Sequence, residues 1–112
     1  MVTKIKDGFF ISDLDGAQDA EFIELNKITR IVNTAGTQVP NIYAHHGIRY
    51  LTLNWEENGT STLFDPNGVL IKQINFFIDQ ALSRGECILI HSLDGRSRSV
   101  VCALAYLMFH YW

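Results

Sequence analysis

The stretch that most constrains this chain is Cys87-Ile88-Leu89-Ile90, four apolar residues between Ser83-Arg84-Gly85-Glu86 and the polar segment His91 to Ser99. A run that short and that apolar reads as a strand buried on both faces, which needs strands beside it and helices above and below. Upstream, Leu70, Ile74, Phe77, Ile78, Ala81 and Leu82 recur at three- and four-residue steps and predict a helix over Val69 to Leu82, with Gly85 in the position that follows a helix end. Downstream, Val100, Leu104, Leu107, Met108 and Tyr111 form a second helical stripe that runs to the chain end.

The remaining segments fit the same layered plan. Gly8 to Ser12 is a short apolar strand, Asp13 to Gly16 carries turn chemistry, and Ala17 to Asn26 is weakly amphipathic and helical. Thr29 to Asn33 is rich in β-branched residues and ends at the loop-like Ala35-Gly36-Thr37, and Arg49 to Leu53 is the next strand. Strands alternating with helices predict an α/β domain with a mostly parallel central sheet flanked by helices. A chain of 112 residues, 47% hydrophobic, supports one domain over 1–112.

Charge and cysteine content narrow the function classes. A formal charge of -3 gives no uniform field for nucleic acid or an anionic membrane, so any anion site is local. Lys4, Lys6 and Asp7 interrupt the start, which leaves neither a secretory signal nor a membrane span there and places the chain in the cytoplasm. Cys87 and Cys102 read as small apolar core residues, and His45, His46, His91 and His110 lack metal-ligand spacing, so neither metal nor cofactor is expected. Asn58-Gly59-Thr60 reads as a turn, His45-His46 as a solvated loop, and Trp55 and Trp112 as packing residues.

The chemistry is concentrated in His91-Ser92-Leu93-Asp94-Gly95-Arg96-Ser97-Arg98-Ser99. A loop leaving the carboxyl end of a central strand and entering a helix aims backbone N–H groups at one point, where the helix dipole adds positive potential. Gly95 relaxes the backbone where it must curl, Arg98 at the helix start can present a planar fork to phosphate oxygens, and Arg96 adds charge at the rim. The competing reading is a solvated arginine pair on the surface. His91 also fits the role of a core histidine satisfied by backbone.

These residues resemble the cysteine-dependent dual-specificity phosphatases, whose signature is His, Cys, five residues, Arg, then Ser or Thr. Here it reads His91-Ser92, five residues, Arg98-Ser99, with Gly95 in the glycine position. Asp7-Gly8-Phe9-Phe10-Ile11, Ile28-Thr29-Arg30-Ile31-Val32-Asn33, Phe77-Ile78-Asp79-Gln80-Ala81 and Ala105-Tyr106-Leu107-Met108 resemble family landmarks in the same order. The resemblance implies that Ser92 holds the position of the nucleophilic cysteine, that residues 92–98 form the phosphate-binding loop, and that His91 and Ser99 support it. It further implies that a complete domain continues with helices that pack beside the last one, so that 1–112 is an incomplete domain.

Set against that family, the chain departs in several places. Ser92 lacks an ionisable thiol: a free thiol has a pKa near about 8.5, whereas a serine hydroxyl needs an adjacent base. The family's general acid is an aspartate, and Asn54-Trp55-Glu56-Glu57-Asn58 has none. Glu57 is the first candidate for that role, then Glu56, with Asp65 as a further one; the competing reading is solvated loop acids. Asp94 either opposes a bound anion or turns to solvent and pairs with Arg96. Unit charges at about 4 Å interact by about 1 kcal/mol in water and several times that in a poorly solvated pocket.

The expectation is therefore a catalytically inactive, pseudophosphatase domain acting as a protein-binding or scaffold component of a larger assembly. Family analogy extends this to cytoskeletal or ciliary assemblies. The apolar residues of the last helix are too many for one stripe, so a protein partner is expected to cover it. Two alternatives stand: an active phosphatase carrying a Cys-to-Ser change that traps substrate, and a reader of phosphopeptides or phosphoinositides. An engineered change would touch one position, whereas here several depart together.

Overall fold

The computed structural model describes residues 2–36, 39–53, 68–93 and 98–111. In chain order these form β1 (Val2–Lys6), β2 (Phe9–Ser12), α1 (Leu14–Ala17), α2 (Ala20–Leu25), β3 (Ile28–Asn33), β4 (Arg49–Thr52), α3 (Val69–Ser83), β5 (Cys87–His91) and α4 (Arg98–Tyr111). A 3-10 turn, Ala44–His46, precedes β4 and leaves both of its histidines exposed.

The strands build a five-stranded sheet in the order β1-β2-β5-β3-β4. Only the β1–β2 pair is antiparallel; β2–β5, β5–β3 and β3–β4 are parallel. The uninterrupted apolar run thus occupies the centre, where both faces are covered, and period-two alternation deals its side chains to two cores. Ile88 and Ile90 join Phe9, Ile11 and Val32 against Ile74, Ile78, Ala81, Cys102, Ala103 and Tyr106 of α3 and α4. Leu89 joins Phe10, Ile28 and Ile31 against Ala17 and Ile23 of α1 and α2.

Four local features correct or extend these expectations. The stretch expected as one helix after a turn is two short helices, because Asp13 and Asp19 each cap a new start: the Asp13 carboxylate accepts from Gly16 N at 3.0 Å and Asp19 from Phe22 N at 3.2 Å. The charged opening is itself a strand, β1. A register shift between Lys4 and Lys6 breaks its alternation, and charge on an outermost strand guards against edge pairing.

The third correction concerns α4. Its buried residues are Ser99, Cys102, Ala103, Ala105 and Tyr106, whereas Leu104, Met108 and Tyr111 of the expected stripe are exposed. Apart from Tyr106, the buried side chains are small, while Leu104, Met108, Phe109 and Tyr111 are exposed. A helix apolar on all sides gives periodicity nothing to choose by. Finally, Cys87 is half-buried rather than a core residue, while Cys102 is fully buried, which pushes its thiol up to about 12.

Candidate anion-binding site

The carboxyl end of β5 delivers His91 and Ser92 between the ends of β2 and β3. Ser92 N donates to Ser12 O at 3.2 Å, and the His91 carbonyl accepts from both Thr34 N at 3.0 Å and Thr34 Oγ1 at 2.8 Å. Strand ends at the switch point of a parallel sheet form a crevice that commonly takes ligands. Here two polar residues, Ser12 and Thr34, flank the exit of the central strand.

From the other side, α4 brings its first turn to the same place. Ser99 is fully buried and its Oγ lies 3.3 Å from Ser92 Oγ, while Arg98 donates from NH1 to the Thr34 carbonyl at 3.2 Å. The helix N-terminus contributes positive potential and the guanidinium a planar set of donors, which suits a tetrahedral oxyanion. Asn33, at the end of β3, is also fully buried and holds the neighbouring turn: its amide donates to Gly36 O at 3.2 Å, Val39 O at 3.0 Å and Asn41 Oδ1 at 2.9 Å, and its Oδ1 accepts from Ala35 N at 2.9 Å.

Ionisation is disfavoured on the strand side of this site. His91 is 2% exposed, and burial pulls its imidazole down to about 4, so it is neutral at pH 7. Its Nδ1 has no hydrogen-bond partner among the described residues. Ser92 is equally buried and shares its hydroxyl with another neutral hydroxyl, that of Ser99.

The structure therefore brings together His91, Ser92, Arg98 and Ser99, with Leu93 half exposed beside them. Asp94, Gly95, Arg96 and Ser97 lie outside the described residues, as do Glu57, Glu56 and Asp65. Sequence reasoning missed Ser12, Asn33 and Thr34. The signal was present, since Phe-Phe-Ile-Ser and Ile-Val-Asn-Thr both pass from apolar to polar where a parallel strand ends. Among the described residues no group of three or more His, Cys, Asp or Glu could hold a metal ion, and no helix is long and apolar enough to cross a membrane.

The fold is shared with human DUSP28, with a TM-score of 0.76 at 23% identity over 97% of this chain and 70% of that one. It is also shared with the human tyrosine phosphatase-like serine/threonine/tyrosine-interacting protein, with a TM-score of 0.75 at 23% identity over 98% and 74%. In sequence, the chain is 33% identical over 107 residues to dual specificity protein phosphatase 22 of Homo sapiens, covering 96% of this chain and 54% of that protein. Against dual specificity protein phosphatase 26 of Rattus norvegicus it is 34% identical over 108 residues, covering 93% and 49%. The chain thus spans about half the length of these curated relatives. Residues 9–111 match the family model of the dual specificity phosphatase catalytic domain, a span from β2 to the last residue of α4. The family model is matched over nearly the whole chain, and the chain belongs to the dual-specificity phosphatase family.

Proposed function

We propose that this domain is a pseudophosphatase: it keeps the oxyanion cradle of its family without turning over phosphate esters, and it serves as a protein-binding or scaffold part of a larger assembly. The observation that carries this reading is Ser92, which follows β5 at the position of the family's nucleophilic cysteine, is buried, and shares its hydroxyl with Ser99. A thiolate can form at a helix N-terminus because its pKa starts near about 8.5 and falls there. A serine alkoxide starts far higher, so the hydroxyl needs a base strong enough to take its proton. His91 is unprotonated at pH 7, but burial drops its basicity to about 4, which makes it a poor one. Glu57 in place of an aspartate acid and Asp94 in the loop point the same way.

In this reading residues 92–98 form the cradle, with His91 and Ser99 as supports, and residues 1–112 act as one unit. The outer face of α4, with Leu104, Met108, Phe109 and Tyr111 exposed, is where a protein partner docks. A cytoplasmic setting, with cytoskeletal or ciliary association by family analogy, belongs to the same proposal. A second reading, a phosphopeptide reader, is favoured by the placement of Arg98 and Ser99 at the crevice.

The test compares the parent with Ser92→Cys on a generic aryl phosphate. Neither should turn over. Hydrolysis by Ser92→Cys would instead identify an active phosphatase whose Cys-to-Ser change traps substrate. Calorimetry with phosphopeptides separates the reader: binding by the parent that Arg98→Ala abolishes supports it, and no binding by the parent removes it.

A further inference from the structure

One buried side chain with several hydrogen bonds beside the crevice lies outside the signature. Asn33 is fully buried at the end of β3, and it satisfies both ends of its amide within one turn of chain: Oδ1 accepts from Ala35 N, and Nδ2 faces the Gly36 carbonyl, the Val39 carbonyl and Asn41 Oδ1. Gly36 has a φ of 70°, so the turn includes a left-handed residue that an ordinary side chain would strain. A backbone shaped that way needs something to hold it, and the Asn33 amide is the group positioned to do so.

What that turn presents is the Thr34 carbonyl, the acceptor for Arg98 NH1 at 3.2 Å. Thr34 is held from its other side by its N–H and hydroxyl, both donated to the His91 carbonyl. Arg98 is thus oriented by a backbone acceptor on a different strand, whose own position is set one residue away by Asn33. The same residue reaches the next strand, since Asn33 O accepts from Leu53 N at 2.8 Å and Asn41 Nδ2 donates to Thr52 Oγ1 at 3.0 Å.

We infer that Asn33 is a positioning residue for Arg98: through the 34–36 turn it fixes the guanidinium in the orientation that an oxyanion at the loop requires. The inference rests on reading residues 92–98 as an anion cradle. It assigns Asn33 a share of the affinity although it touches no anion. A guanidinium that must be ordered at the moment of binding binds more weakly than one already held.

The experiment follows the Arg98 guanidinium directly by ¹⁵N–¹H NMR, with the 112-residue chain free and titrated with inorganic phosphate. Asn33→Ala removes the whole anchor. Asn33→Ser keeps an acceptor for Ala35 N but cannot reach the Val39 carbonyl or Asn41, so it should fall between parent and Asn33→Ala. Expected are faster guanidinium rotation and exchange for Arg98 in both, and phosphate affinity lower by about tenfold in Asn33→Ala, with the far-UV circular dichroism of the parent. A merely structural role would lower the melting temperature and leave the Arg98 signals unchanged in the folded variant, and that result overturns the inference. Should neither variant fold, Asn41→Ala cuts the half-buried outer arm of the network; it should loosen Arg98 less, and an unchanged Arg98 there is equally fatal. A parent that binds no phosphate sinks the cradle reading by itself. The Arg98 dynamics still decide on Asn33.

Discussion

Replacing Glu86 alone should destabilise the domain more than replacing Glu86 together with its ion-pair partner. Arg30 on β3 is 1% exposed, with Nε at 2.8 Å from Glu86 Oε2. Its Nη1 donates to Gln80 Oε1 at 2.8 Å and to the Phe77 carbonyl at 3.3 Å, its guanidinium lies 5.1 Å from the Phe77 ring centroid, and among the described residues neither Nε nor Nη2 makes a hydrogen bond, so the contact with Glu86 is an ionic one. In Glu86→Gln the guanidinium keeps its neutral acceptors and loses its counter-charge where water does not reach. Removing one partner of a buried pair costs about 3–5 kcal/mol. The Glu86 side chain is 31% exposed, so part of the pair energy is already screened, and about 2–3 kcal/mol is the better figure. For a domain of this size that lowers the melting temperature by about 10–20 °C. Arg30→Met with Glu86→Gln removes the charge, keeps a long apolar side chain beside Phe77, and should recover most of the loss. Thermal unfolding of parent, single and double variants at pH 7 measures this. A Glu86→Gln protein melting within about 2 °C of the parent, or a double variant no more stable than the single, refutes the reasoning.

Other expectations follow from packing and protonation. A Cβ on Gly16 would lie 2.8 Å from both Ser12 Cβ and Val2 Cγ2, so Gly16→Ala should cost about 1–3 kcal/mol in denaturant unfolding. His91 is folded with its pKa lowered to about 4 from 6.5. The unfolded chain therefore takes up its proton first as pH falls, and stability present above about 6.5 should drain away towards pH 4, on the order of 3 kcal/mol in all. His91→Asn should flatten that part of the pH profile, measured as denaturant midpoints. The free chain should self-associate in sedimentation velocity through the outer face of α4, and Leu104→Lys with Met108→Lys should abolish this without lowering the melting temperature.

Much of the fold was legible because β5 and α3 carry strong, one-sided signals. Cys87 to Ile90 is short and apolar between turn residues, which favours a doubly covered strand, and Ile74, Ile78 and Ala81 all fall on the buried side of α3. The weak spots have physical causes. Asp13 and Asp19 cap separate helices, and capping is a contest between nearby starts that apolar periodicity does not register. In α4 the buried face includes Ser99 beside Cys102 and Ala103, so the expected stripe held at Val100 and Leu107, which pack against the core, and failed at Leu104, Met108 and Tyr111. At the site, His91, Ser92, Arg98 and Ser99 lie close together in sequence, and it was the resemblance to the family signature that singled them out. Ser12, Asn33 and Thr34 were not singled out, because their part in the site comes from strands brought together across the sheet.

The strand at the centre of the sheet comes after the other four in chain order. Neither β2 nor β3 has its inner neighbour until Cys87 to His91 arrives, and Asn33 must wait for His91. Every parallel pairing that closes the core is therefore long-range in sequence, which makes loop closure the slow and cooperative part of folding. A ribosome-bound chain ending before β5 holds the β1–β2 hairpin and the β3–β4 pair but nothing to join them into one sheet. Folding of this domain should therefore appear as one late event once the residues of β5 and α4 have emerged, with holdase chaperones engaging the chain up to that point.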